Sequence, residues 1–384
     1  MAFAVLYLPL VEDFAASRAE VAAVQSAVLL LGGFSGPLVG WAFDRLGPRR
    51  LIQGGAGLAA AALLAASRVE SLPALVAVYG VLGGLGLAAF GSQANMAIAA
   101  LWYPHARGRA IAVADLGTGF GAFCFIPLGQ WLVGAVGWRG TLVVWAALLL
   151  AVVVPLNALQ RLPAAAEDLR RPPAGGRTGS GSDWTLAAAL RSAPFWWLAA
   201  CRFFAACAFP LMNTHMVAYA IGQGIAPAAA ATALGSVSLV SLAGRLTVGW
   251  LSDRLGRAPA LTCAYSSAAL GIGALSLLAV TGWPGWLVLY VLLYGLAQGS
   301  SGIVASARAA DVFAGASFGT IYGWLTLAVG PGEALGAWIG GKIYDATGSY
   351  LGAFAFAVAA LAAGLAAIWR VRPEPRRSTQ SSIS

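Results

Sequence analysis

A guanidinium and a carboxylic acid draw attention because each interrupts a stretch of otherwise apolar residues. Arg245 lies eight positions before Asp253, about 12 Å along a helix axis. Its planar fork stays protonated and matches the two oxygens of a carboxylate, so it could hold a small organic anion. The competing role is an arginine that reaches back to an interface or pairs with nearby acids. Glu333, in GPGEALG, is the most deeply placed carboxylate, and its flanking glycines permit close helix approach. It could carry a proton or serve as the partner of a basic residue across a cavity. Asp115 is a second proton-coupling candidate, with pairing to Arg107 or Arg109 as its alternative. His215, in MNTHMVAY, can exchange a proton near neutral pH; it is either a substrate contact or a hydrogen-bonded structural group. Asn213, Gln93, Asn95 and Gln298 are polar residues in apolar segments, lining a cavity or bonding across helices. Arg202 and Arg308 read as side chains that snorkel to the nearer interface.

The elements that must position these groups are membrane helices. Of the 384 residues 60% are hydrophobic and 10% charged, and the mean hydropathy is +0.80, far from the composition of a soluble domain. A spanning helix needs about 20 apolar residues. Such stretches predict spans at 20–43, 51–67, 73–101, 110–134, 140–159, 195–220, 228–251, 259–281, 284–309, 318–341 and 350–370, with a partial span at 1–11. Only about ten apolar residues precede Glu12 and Asp13, enough for roughly 15 Å of helix. Two readings of this short first segment stand: a chain whose start lies further upstream, or a short reentrant helix.

The expected organisation is an amino-terminal six-helix bundle (1–159), a Pro- and Gly-rich polar linker (160–193), a second six-helix bundle (194–370) and a polar tail (371–384). Residues 185–193 are expected to form a short interfacial helix. Most of the 23 Arg and Lys fall at the linker end of the helices, whereas Arg18, Arg68, Arg139 and Lys342 fall at the other. The rich side should be cytoplasmic, with the chain in the inner (plasma) membrane. The net charge of +9 is spread over short loops without aromatic interleaving, so no nucleic-acid partner is expected. The four cysteines, Cys124, Cys201, Cys207 and Cys263, read as small buried hydrophobes. No Walker sequence, metal-spaced His/Cys cluster or Ser-His-Asp order is apparent, so neither a cofactor, ATP-driven pumping nor catalysis is expected.

The chain also repeats itself. GWAFDRLGPRR at 40–50 returns as GWLSDRLGR at 249–257, placing Gly40, Asp44, Arg45, Gly47 and Arg49 opposite a second set, Gly249, Asp253, Arg254 and Gly256. Tyr79-Gly80 with Gly84 is echoed by Tyr294-Gly295 with Gly299 at nearly the same offset. Internal symmetry of this kind marks secondary transporters. The duplicated motif resembles the signature of the major facilitator superfamily between helices 2 and 3. SRAEVAAVQSAVLLLGG, LWYPHARGRAIAVADLGTGFGAF, GWRGTL and KIYDATGSY resemble its monocarboxylate transporter and oxalate/formate antiporter branch. Two features depart from that pattern: the branch signature of the first half of helix 1 is absent, and Tyr79 stands where many proton-driven members carry an arginine.

The resemblance implies an all-α integral membrane fold of two six-helix bundles, twelve spans with the first cut short, rocking around a midplane site. It implies a latch in which each repeated Asp pairs with arginines and a helix end at the cytoplasmic face, with Arg107 or Arg109 the partner nominated for Asp44. Such a contact contributes about 0.3–2 kcal/mol, enough to bias two states of similar energy. It further implies secondary transport of a small carboxylate by proton symport or anion exchange, with Arg245 in the place of the branch's substrate-binding arginine. A monomer is expected. The alternatives are efflux of an amphipathic compound on the same fold and a membrane sensor that does not transport.

Overall fold

The computed structural model describes residues 3–91, 95, 107–159, 184–313 and 318–371, and every regular element among them is helical. The first half contains α1 (Phe3–Asp13), α2 (Arg18–Phe34), α3 (Gly36–Leu46) and α4 (Pro48–Ala66). It continues with α5 (Leu72–Phe90), π-helical over Val76–Gly83, and α6 (Arg107–Leu148), extended through Val154–Ala158. After the linker come α7 (Leu186–Leu190), α8 (Ala193–Gly222), α9 (Pro227–Leu255), α10 (Arg257–Thr281), α11 (Gly285–Ala297), α12 (Ser300–Phe313), α13 (Phe318–Thr326), α14 (Val329–Thr347) and α15 (Leu351–Arg370).

Seven helical segments among the described residues are long and apolar enough to cross a membrane. One of them, Leu116–Ala158, is two crossings folded at Gly137, whose φ of 71° breaks the helix. Gly129 and Trp145, eight residues to either side, therefore face each other. With the α2/α3 pair, α4 and the α13/α14 pair, the described residues make eleven helical passes, and α1, 11 residues long, is the partial first one. A short helix, α7, lies within 185–193, its amino terminus capped by the Thr185 hydroxyl. Most of the linker, 160–183, and the tail from 372 lie outside the described residues.

Three expected spans divide: the one at 20–43 at Ser35 into α2 and α3, the one at 284–309 at Gln298 and Gly299 into α11 and α12, and the one at 318–341 at Leu327 and Ala328 into α13 and α14. Gly299 carries a φ of 88°, which an L side chain adopts only under strain. The cysteine expectation is corrected in half: Cys201 and Cys207 are buried, but Cys124 and Cys263 are exposed on the helix surface. A small apolar thiol is as compatible with a hydrocarbon-facing surface as with the interior.

The sequence repeat is also a structural one. Gly47 (φ 80°) opens α4 as Gly256 (φ 93°) opens α10. Arg45 stacks on Trp41 at 5.0 Å, as Arg254 does on Trp250 at 4.3 Å. Gly80 lets α5 approach α2 at Val24 and Ala27, and Gly295 lets α11 approach α9 at Val237 and Val240. The halves then meet along two symmetry-related seams, α2 with α14 and α6 with α9. On the first seam Gly33 and Gly330 touch backbone to backbone, and the Ser26 hydroxyl donates to the Ala334 carbonyl at 2.7 Å. Small residues and single hydrogen bonds are what hold helices together where burial of apolar surface gives no drive.

One end of this seam is shut. The Asp345 carboxylate of α14 accepts the backbone N–H groups of Arg18 (2.9 Å) and Ala19 (2.8 Å), capping α2 from the opposite half. Arg18 stacks over the Tyr344 ring at 3.9 Å and donates to the Tyr350 hydroxyl. Beneath it Tyr7, His215, Tyr219 and Phe354 pack as a ring cluster against Tyr350. Because Asp345 crosses between the halves, it favours this closed end over an open one. Asp345→Asn should shift the equilibrium toward opening by about fivefold, corresponding to about 1 kcal/mol for a carboxylate at a helix amino terminus. Alkylation of a single cysteine introduced at Ala22 in a cysteine-free background checks it: an unchanged labelling rate removes the latch.

Candidate functional site

Two neighbouring pockets, here termed lobes, share Gln298 and Gly299 in their linings; the first lies between the halves and the second within the second half. One lobe, about 400 Å³, is bounded by α6 at Thr118 and Phe125 and by α9 at Ser238, Ser241 and Arg245. The other, about 300 Å³, is bounded by Arg202, Phe209 and Asn213 of α8 and by Glu333 of α14. A smaller recess of about 160 Å³ adjoins Asn213 and Glu333 and adds Phe3 of α1 and Gln25 of α2.

The break between α11 and α12 explains where Arg245 goes. On this backbone any residue but glycine at position 299 would crowd the guanidinium, since a Cβ on Gly299 would come within 2.6 Å of Arg245 Nε. Backbone that departs from helix inside a membrane is tolerated only where protein or a cavity surrounds it, and discontinuous helices characteristically flank transporter sites. Gln298, at the same break, donates its Nε2–H to Asn213 Oδ1 at 3.0 Å, tying α11 to α8 across the cavity wall.

Of the residues singled out from the sequence, Arg245, Asn213 and Glu333 are brought to this cavity. His215 is not among its lining residues. It is fully buried, its Nε2–H donates to the Ala337 carbonyl at 2.8 Å, and its ring packs against Tyr7 and Tyr350. Its contacts belong to the closed end, where a polar ring buried among aromatics ties α8 to α14.

Asp253 is bound within its own half: Arg257 donates to it at 2.6 Å and to Asp311 at 3.1 Å, joining α9, α10 and α12. Gly249 lies within α9, Gly256 makes the turn after it, and Arg254 rests on Trp250. In the first copy Gly47 makes the matching turn, and the Arg49 carbonyl accepts from Asn157 at 2.9 Å. Gly40 lies within α3, whereas the side chains of Asp44, Arg107, Arg109 and Asp115 lie outside the described residues, as does Gln93. Arg308 donates to the Val371 carbonyl at the end of α15, in keeping with a place near that interface.

Arg202 corrects the expectation of a snorkelling arginine, because it lines the cavity beside Glu333. The signal was present: Arg202, Ala206, Phe209 and Asn213 recur at helical spacing and share one face of α8. Ser238, Ser241 and Arg245 form a matching stripe on α9. Among the described residues no three His, Cys, Asp or Glu side chains gather as metal ligands would.

Residues 1–304 match the family profile of the Major Facilitator Superfamily. The chain belongs to that superfamily. Monocarboxylate transporter 13 of Rattus norvegicus is 30% identical over 373 residues, which cover 94% of this chain and 82% of the rat protein. Monocarboxylate transporter 3 of the same organism is 28% identical, covering 91% of this chain and 71% of its own. The crystal structure of the nucleoside transporter NupG superposes with a TM-score of 0.76 at 16% identity, over 96% of this chain and 94% of that one. The superfamily fold and the relatives together identify a membrane transporter related to the monocarboxylate transporters.

Gly299→Ala should destabilise this transporter by about 1–2 kcal/mol from the positive φ alone, with a further penalty from contact with Arg245. Thermal unfolding in detergent of Gly299→Ala in the wild-type and Arg245→Ala backgrounds separates the two terms. The loss should be smaller without Arg245, and equal losses would show that the guanidinium does not fill the break.

Proposed function

We propose that the protein moves a small organic anion of the monocarboxylate type by alternating access, with Arg245 holding the anion. The observation that carries this reading is a guanidinium set against a helix break on a cavity wall between the halves. An intramembrane charge is expensive and marks a substrate pathway by default. Arg245 supplies a fork of donors for a carboxylate, Asn213 adds a polar contact, and the kinship with monocarboxylate transporters agrees with the choice. Glu333, on the same cavity, is proposed as the proton carrier, so that transport runs as proton symport or as anion exchange. Asp115 is the second proton-coupling candidate.

Under the positive-inside rule the linker and carboxyl terminus face the cytoplasm of the inner (plasma) membrane. The Arg18 end then faces outside, and the described form is shut at that end. The duplicated motif is proposed to latch the cytoplasmic end in the opposite state, with Asp44 meeting Arg107 or Arg109 and the Asp253–Arg254 copy acting beside it. The intra-half pairing of Asp253 with Arg257 accords with a cytoplasmic latch that is released here. The transporter is proposed to act as a monomer.

A second reading, efflux of an amphipathic compound, draws on an apolar cavity of about 590 Å³ within the first half, lined by Phe3, Tyr79 and Trp145 among others. Uptake of radiolabelled pyruvate into proteoliposomes under an imposed pH gradient decides between them. Arg245→Lys keeps the charge but loses the fork, and should weaken apparent affinity at least tenfold, about 1.4 kcal/mol. Absence of pyruvate uptake, with Arg245→Ala still exporting lipophilic dyes, would favour efflux.

A further inference from the structure

At the closed end the rings of Tyr7 and His215 meet, one from each half. We propose that His215 is a proton-binding site uncovered only when this end opens, so that a proton taken up there holds the halves apart. The site is independent of the reading of Arg245 as the anion holder.

The partner of the ring fixes its tautomer. A carbonyl oxygen only accepts, so the contact with Ala337 at 2.8 Å places the hydrogen on Nε2 and leaves Nδ1 a bare acceptor. Nδ1 is buried without a hydrogen-bond partner among the described residues. A proton added there would place a charge in a site without water. The Asp345 carboxylate already accepts the N–H groups of Arg18 and Ala19. The Arg18 guanidinium and the His215 ring both lie against Tyr350, 5.2 and 5.3 Å from its centroid, so a second cation is unwelcome beside the first.

The covers of the ring come from both halves. On α14 a Cβ at Gly340 would lie 2.5 Å from the ring's Cδ2, and Tyr350 covers another side. These belong to the half that carries His215. Tyr7 stands edge-on at 5.1 Å and belongs to the other. It is tied to the latch, because its hydroxyl donates to the Arg18 carbonyl at 2.8 Å and the Arg18 N–H is held by Asp345. Release of Asp345 frees Arg18 and Tyr7 together and admits water to Nδ1, while Ala337 keeps the ring in place. The proton then comes from the aqueous phase at that end, and Tyr7 cannot return over the imidazolium without stripping its hydration. The open form binds one proton more than the closed form, so acid favours opening. In the orientation proposed above, that acid is external.

The titratable and charged groups around the ring are Tyr7 of α1, Arg18 of α2, Tyr344 and Asp345 of α14, Tyr350 of α15 and, on α8 itself, Tyr219. Glu12 and Asp13 of α1, Glu20 of α2 and Lys342 of α14 are exposed. Tyrosine, arginine and lysine side chains keep their charge state between about pH 5.5 and about pH 7.5. A substitution at His215 leaves every carboxylate of this end in place and so isolates the imidazole.

The test uses the full chain in lipid nanodiscs without added anion. Spin labels on Glu70→Cys and Ala226→Cys, in a cysteine-free background, sit on exposed loops of opposite halves. Both loops lie at this end: Val69 is joined through Arg139 to Asp13, and Gln223 shares a pocket with Arg18. The separation of the labels reports the open fraction. A histidine in water titrates at about 6.5, so the open-to-closed ratio should rise about tenfold from about pH 7.5 to about pH 5.5. In His215→Gln, which can still donate to Ala337 but takes up no proton, the ratio should not change with pH. The chain has two histidines, so in His105→Gln the nitrogen resonances of isotopically labelled histidine belong to His215 alone. Its imidazolium form should appear in proportion to the open fraction. A wild-type ratio that does not respond to pH, an equal response in His215→Gln, or imidazolium formed while the labels report a closed end overturns the site. Because no anion is present, these results leave the role of Arg245 to the pyruvate measurement.

Discussion

In hydrocarbon no water replaces a lost backbone hydrogen bond, so a spanning chain stays helical wherever it meets lipid. Every departure from that rule must be sheltered, and here the departures gather where the protein needs room or motion. The break at Gln298 and Gly299 opens the space that Arg245 occupies. Gly36, the repeat counterpart of Arg245, follows Ser35, whose backbone stays in the helical region, so the level of the fold that carries a charge in the second half carries none in the first. The π-helical stretch of α5 contains Tyr79 and Gly80, the counterparts of Tyr294 and Gly295, which lead into the α11 break.

The same constraint shapes how the halves meet. With apolar surface already satisfied by lipid, the seams depend on close backbone approach and on a few polar contacts that cross them. Gly33 against Gly330 supplies the first, and Ser26, Asp345 and Arg18 supply the second. Such contacts are numerous enough to hold one end shut and few enough to be exchanged for a set at the other. A helix amino terminus capped by a carboxylate from the opposite half is well suited to that exchange, because both partners can return to water when the end opens.

Much of the architecture was legible in residue order. Apolar length located the passes, and the repeated Gly-Trp and Asp-Arg-Leu-Gly pattern announced two copies of one unit. The site was legible in part. Arg245 and Glu333 announced themselves as charges in apolar segments, but residue type left His215 open between a substrate contact and a structural group, and sent Arg202 to an interface. His215 belongs to the ring cluster of the closed end, and Arg202 faces the cavity, because each location follows from which helix lies alongside and not from distance to an interface.

What the sequence by itself determined is therefore everything that depends on local period and transfer free energy: the number and course of the passes, the duplication, and the rarity of the charges that must have a purpose. Those properties are sums over neighbouring residues, and solvent reads them before any tertiary contact forms. Only the tertiary structure decided which charges share a cavity, that α11 stops short so Arg245 can enter it, and that Asp345 closes one end through two N–H groups 326 and 327 positions away. Those facts are set by glycine-to-backbone contacts between distant segments, whose energies vanish beyond a few ångströms and leave no periodic trace in the chain.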